Sequence, residues 1–143
     1  MRPRPVIAAL LLVVAGFAAV TLAALEGKEV AVLRTSPGEG AARETRVWVA
    51  EHEGALWVEA ATPERDFYRD LLDSPQAELV RGGARQAVLA RPQPGEDGHA
   101  LVRSLLAAKY GWADCWVGLL QDTSRSVAVR LDRDPAGAER PRG

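Results

Sequence analysis

Arg43-Glu44-Thr45-Arg46-Val47-Trp48-Val49-Ala50-Glu51-His52-Glu53-Gly54-Ala55-Leu56-Trp57-Val58-Glu59-Ala60 alternates twice around a turn. Thr45, Val47 and Val49 fall on one face and Arg46, Trp48 and Ala50 on the other, the period of two that belongs to a strand with one drier face. Glu53-Gly54 supplies a tight reversal, after which Leu56 and Val58 alternate with Trp57 and Glu59. The stretch therefore predicts an antiparallel hairpin, Arg43–Glu51 against Ala55–Ala60.

Working outward, Glu29–Thr35 reads as a short apolar strand ended by the turn chemistry of Ser36-Pro37-Gly38-Glu39-Gly40. Downstream, Thr62-Pro63-Glu64 carries the signals of a helix start, with Thr62 as N-cap and Pro63 at the first helical position. Phe67, Tyr68, Leu71 and Leu72 form the apolar stripe of that helix, which Asp73-Ser74-Pro75 stops. Gln76–Val80 and Gln86–Arg91 predict a second hairpin through Gly82-Gly83. Pro92, Pro94 and Gly95 predict a loop, since proline has no N–H to give a ladder. A second helix opens at Asp97-Gly98, presents Leu101, Val102, Leu105, Leu106 and Tyr110 on one face and ends at Gly111. Trp112–Leu120 is a further helical turn or a packed loop, Ser126–Leu131 a closing strand, and 134–143 a flexible tail. The expected fold is mostly β with two or three helices: a six-stranded antiparallel barrel.

At 143 residues the chain has room for one domain, expected over 26–133, behind the segment 1–25. Val6–Leu25 carries no charge, and its 20 residues reach about 30 Å as a helix, enough for one bilayer crossing. A secretory signal is the alternative, with Thr21-Leu22-Ala23 as its cleavage site; an uncleaved single-pass anchor is the preferred reading. Arg2 and Arg4 before the span are nearly balanced by Lys28 and Arg34 after it. The tilt is toward a cytoplasmic N terminus, which places the domain outside the membrane.

The net charge of −1 gives no basic face for nucleic acid. Cys115 is the only cysteine and His52 and His99 the only histidines, so neither a disulfide nor a metal centre is expected. Cys115, among Ala113, Asp114, Trp116 and Val117, reads as a small buried hydrophobe.

Several residues in order resemble the split β-barrel proteins that bind flavin mononucleotide (FMN) or the deazaflavin F420, both the deazaflavin-dependent nitroreductase-like and the pyridoxamine 5′-phosphate oxidase-like members. Leu33-Arg34-Thr35 leads through a glycine-containing loop to Arg43-Glu44-Thr45-Arg46-Val47-Trp48. Ala60-Ala61-Thr62 leads into Phe67-Tyr68-Arg69-Asp70-Leu71-Leu72-Asp73-Ser74-Pro75, and Lys109-Tyr110-Gly111-Trp112 precedes the last strand. The similarity spans Glu29–Leu131. It implies a split barrel, a flavin-type cofactor (FMN or F420), oxidoreductase activity and a homodimer with cofactor at the subunit boundary. One departure concerns the first loop: F420-binding members carry a basic Gly-Arg-Lys-Ser-Gly run there, and this chain has Glu39 in its place, which favours the compact flavin.

A flavin phosphate is gripped by Arg forks. Arg43 and Arg46 flank the start of a strand, and Arg65 and Arg69, four apart, share a helix face near its positive end. With Thr45 from the strand start and Trp48 as a ring wall, Arg43, Thr45, Arg46, Trp48, Arg65 and Arg69 are the expected cofactor-binding set. The competing reading makes the arginines a solvated surface balanced by Glu44, Glu64, Asp66 and Asp70, and the tryptophans 48, 57, 112 and 116 core packing. No residue pattern assigns a catalytic group: Tyr68 and Tyr110 lack an activating base, and a flavin carries its own redox chemistry. A noncatalytic split-barrel interaction module is the alternative function.

Overall fold

The computed structural model describes residues 4–25 and 29–138. Arg2 and Lys28, two of the charges that bear on membrane orientation, lie outside the described residues, as do 139–143 of the expected tail. The elements are α1 (Arg4–Leu25), β1 (Val30–Thr35), β2 (Arg43–Trp48), β3 (Ala50–His52), β4 (Ala55–Ala60), α2 (Asp66–Asp73), β5 (Gln76–Arg81), β6 (Ala84–Gln93), α3 (Glu96–Tyr110), α4 (Trp112–Leu120), β7 (Val127–Arg133) and α5 (Pro135–Ala138).

The strands form one curled antiparallel sheet in the order β2-β1-β5-β6-β7-β4-β3. Its two outer members, β2 and β3, are consecutive in the chain and separated only by Val49, so the sheet curls until its ends meet at that residue. Seven strands replace the six expected because the run Arg43–Glu51 is cut at Val49. Its N–H donates to the Tyr110 hydroxyl at 3.1 Å, and its carbonyl accepts from Lys109 Nζ at 2.6 Å. Backbone groups spent on α3 are lost to the ladder, and the chain changes partner there from β1 to β4.

Glu53 and Gly54 both have positive φ, 50° and 74°, the backbone of a type I′ hairpin turn, as their sequence predicts. Proline at position 92 does not end β6. It pairs with Val129 of β7, beyond the last β5 partner at Leu89. Ala90 N–H points to the β5 side, toward the Pro75 carbonyl, so two residues on the missing N–H of Pro92 faces where β5 has already ended. Thr62-Pro63-Glu64 forms a turn rather than the first turn of α2. The Thr62 carbonyl accepts from Arg65 N–H, and Arg65 becomes the flanking residue.

Two apolar layers result. Inside the curl, Leu33, Val47, Val49, Val58, Leu79, Val88, Val129 and Leu131 pack with Phe67, Tyr68 and Leu71 of α2; Leu72 turns out to solvent. On the outer face, Val102, Leu106 and Tyr110 of α3 pack on Trp57, Ala50 and Ala128. The helix ends where Gly111 takes a positive φ of 56°, which the single glycine permits, and α4 begins at once. The third helix is thus real, and one turn, α5, forms inside the expected tail.

Candidate functional site

A cleft of about 240 Å³ opens where the β2 edge faces the α3–α4 corner. Thr45, Arg46 and Trp48 enter it from β2, Glu59 from β4 and Arg65 from the turn before α2. Arg103 enters from α3, and Asp114, Val117 and Gly118 come from α4. Four of the six expected residues therefore meet in one place. Trp48 is half-buried and stacked on Tyr110, with ring centroids 4.4 Å apart and planes at 13°. One face of its indole is occupied, so it borders the cleft with the remainder of the ring.

Arg46 and Arg65 are exposed, and neither has an ion-pair partner among the described residues. Arg43 and Arg69 stand apart. The Arg43 guanidinium donates to Asp70 at 2.9 Å and Asp66 at 3.2 Å. Asp70 is buried and also accepts from the Thr35 hydroxyl at 2.6 Å. Arg43 thus compensates a buried carboxylate, as the surface-balance reading of that arginine expects, while Arg69 lies exposed on α2 away from the cleft lining.

Sequence reasoning missed the base of the cleft. Arg103 donates to Glu59 at 2.9 Å and to Asp114 at 2.7 Å. The two carboxylates are only 12% and 5% exposed as side chains. Burial works against the Arg103 charge, but Glu59 and Asp114 outweigh it and hold the guanidinium above its ordinary range. Glu59 Oε2 carries the bond to Arg103, while Oε1 is buried with no hydrogen-bond partner. The signal for this network was Asp114, the single charge in the apolar run Trp112–Leu120, and Arg103, a charge three and seven positions before Leu106 and Tyr110 on the buried face of α3. Charges in such company are paired when buried.

The cleft lining carries three cations, Arg46, Arg65 and Arg103, against two anions, Glu59 and Asp114. The surplus charge sits on the two unpaired arginines at its rim. The remaining aromatic candidates are elsewhere. Trp57 is buried under α3, with its indole N–H unpartnered. Trp116 contacts Phe17 of α1, and Trp112 is exposed on α4. Cys115 is exposed rather than buried, because α4 turns Ala113 and Asp114 inward and Cys115 out. The first loop does not reach the cleft: Ser36 and Ala42 line a separate hollow beside β5 and β6.

A family model described as F420H(2)-dependent quinone reductase matches residues 13–134. No curated protein sequence matches the chain. Among solved structures, an F420 reductase is 15% identical with TM-score 0.53, over 79% of this chain and 92% of that one. A FAD-binding protein from Mesorhizobium loti is 14% identical with TM-score 0.56, over 82% and 89%. The haem storage protein HutZ from Vibrio cholerae is 14% identical with TM-score 0.57, over 76% and 84%. At these identities the likeness is one of fold, the split barrel that the ordered sequence motifs predicted.

Proposed function

The chain belongs to the F420H(2)-dependent quinone reductase family, and on that premise we propose that it is a membrane-anchored oxidoreductase whose cleft between β2 and the α3–α4 corner holds F420 or a related flavin. The observation that carries this reading is the pair Arg46 and Arg65, two guanidiniums without carboxylate partners among the described residues, at the rim of a cleft whose other cation is fully engaged. Such forks suit a phosphate or an acidic tail. The buried, unpartnered Glu59 Oε1 is an acceptor suited to a ring N–H, and Trp48 gives an apolar border. The residues present therefore fit the group. When bound, the reduced cofactor supplies hydride for a quinone acceptor. The protein's part is to anchor the anionic portion on Arg46 and Arg65, to hold Glu59 and Asp114 rigid through Arg103, and to narrow the site to water with Val117 and Leu106.

The family match supports F420, and the acidic first loop does not oppose it, because that loop lies away from the cleft. At about 240 Å³ the cleft is smaller than the roughly 300–1,000 Å³ of a typical cofactor site. This supports a homodimer in which a second copy completes the site beside the β2 edge. The anchor is supported by Val6–Ala24, 19 residues of mean hydropathy 2.7 of which only Ala24 is buried. We test the assignment by titrating the detergent-solubilised full chain with F420 and with FMN. Arg46→Ala and Arg65→Ala are each expected to weaken binding at least about tenfold, the worth of one charge-assisted contact. Unchanged affinity in both variants, or no binding of either cofactor, overturns it.

A further inference from the structure

We propose that α4 is an interfacial membrane helix, seated in the phospholipid boundary beside α1 while its opposite side forms a wall of the cleft. This rests on the reading that α1 spans the bilayer. Over Trp112–Leu120 the only charged residue is Asp114, and it is turned inward onto Arg103 at 2.7 Å. The outward stripe is Trp112, Cys115, Trp116 and Leu119, spaced three, four and seven apart. Trp112 is 53% exposed, Leu119 80% and the adjoining Leu120 47%. Contiguous apolar exposure of this kind marks a binding surface.

What covers it follows from where α4 is attached. Trp116 packs on Phe17 at 5.4 Å between ring centroids, and its indole N–H donates to Thr21 Oγ1 at 3.1 Å. These α1 residues lie four and eight positions before the end of the helix at Leu25, about 6 and 12 Å along its axis. The 19-residue apolar window reaches about 28 Å, so a crossing of about 30 Å leaves no turn to spare. Phe17 and Thr21 are then inside the membrane boundary, and α4 must be there with them. That depth matches the roughly 5–10 Å to which interfacial helices settle. Lys109 before the helix and Asp122 and Arg125 after it give it polar ends.

Val117 and Gly118, on the other side of α4, line the cleft. Its mouth therefore opens at the lipid surface.

Cys115, unique and exposed, allows a direct test on the full chain in phosphatidylcholine vesicles. An environment-sensitive fluorophore on Cys115 is expected to shift to the blue and to be quenched by lipids spin-labelled at shallow acyl positions. The same fluorophore on Glu39→Cys in a Cys115→Ser background is expected to do neither, and Leu119→Asp is expected to reduce quenching at Cys115. A water-like, unquenched Cys115 label on a chain that survives alkaline washing of the vesicles overturns the inference and leaves the span standing. Loss of the chain on alkaline washing overturns the span, and this inference with it.

Discussion

Tyr110→Phe removes one oxygen atom at the point where the sheet closes. The hydroxyl donates to the Glu29 carbonyl at 2.8 Å and accepts from Val49 N–H at 3.1 Å. Val49 is wholly buried and Tyr110 is 2% exposed, so no water replaces the lost acceptor. An orphaned buried N–H costs about 1–3 kcal/mol, and the lost bond to Glu29 adds about 1. The ring remains stacked on Trp48, so packing is nearly unchanged. A loss of about 2–4 kcal/mol follows, which at about 4 °C per kcal/mol for a domain of this size lowers Tm by about 8–16 °C. The assay is thermal and urea unfolding of the solubilised full chain by circular dichroism. A Tm within about 2 °C of the parent would show that the hydroxyl does not hold the corner, and the explanation of the break at Val49 would fall with it.

Three further outcomes are expected. Arg43→Ala should destabilise by about 1–2 kcal/mol by exposing the buried Asp70 carboxylate, yet change cofactor affinity less than about twofold; an affinity loss equal to that of Arg46→Ala would return Arg43 to the binding set. Arg103→Met should cost about 2–4 kcal/mol by stranding Glu59 and Asp114, and adding Glu59→Gln and Asp114→Asn should recover part of it, as a double-mutant analysis of urea unfolding would read. Hydrogen bonds from Arg81 and then Lys109 lower the Glu29 carboxyl to about 2. Its folded value lies below its ordinary one, so its stabilisation is complete above about pH 4.5 and lost as pH falls through 2. Because the side chain is 39% exposed, screening limits this to about 1 kcal/mol or less, and Glu29→Gln should flatten that part of the acid limb.

Local signals carried most of the fold. The hairpins at Glu53-Gly54 and Gly82-Gly83, the stop at Ser74-Pro75 and the cap at Gly111 depend on backbone preferences that act within a few residues, and such preferences are visible in a sequence. The errors are of another kind. Val49 leaves its ladder because Tyr110 and Lys109, about 60 positions later, claim its amide and carbonyl. Pro92 survives in β6 because β5 has ended beside it, and Thr62-Pro63 has its helix-start chemistry used by a turn. In the candidate site, Thr45, Arg46, Trp48 and Arg65, singled out by motif order and the chemistry of anion binding, line one cleft. Arg43 is set apart on Asp70, and the Arg103 network is only half legible, because a lone charge in an apolar run signals a buried partner without naming one 44 positions away.

The position of β7 governs how the molecule can be assembled. It is the last strand in the chain, yet it lies between β6 and β4 in the sheet. Until Val127–Arg133 is available, β2-β1-β5-β6 and β4-β3 are two separate ladders, linked through Val49 and through the α2 segment between β4 and β5 but by no strand pairing. A chain stopped at Ser126 is therefore not a barrel short of one rim strand but two fragments, each with an uncovered edge. Non-local closure of this kind comes late. On a ribosome, the apolar N-terminal helix would leave the exit tunnel before the sheet behind it had become one piece.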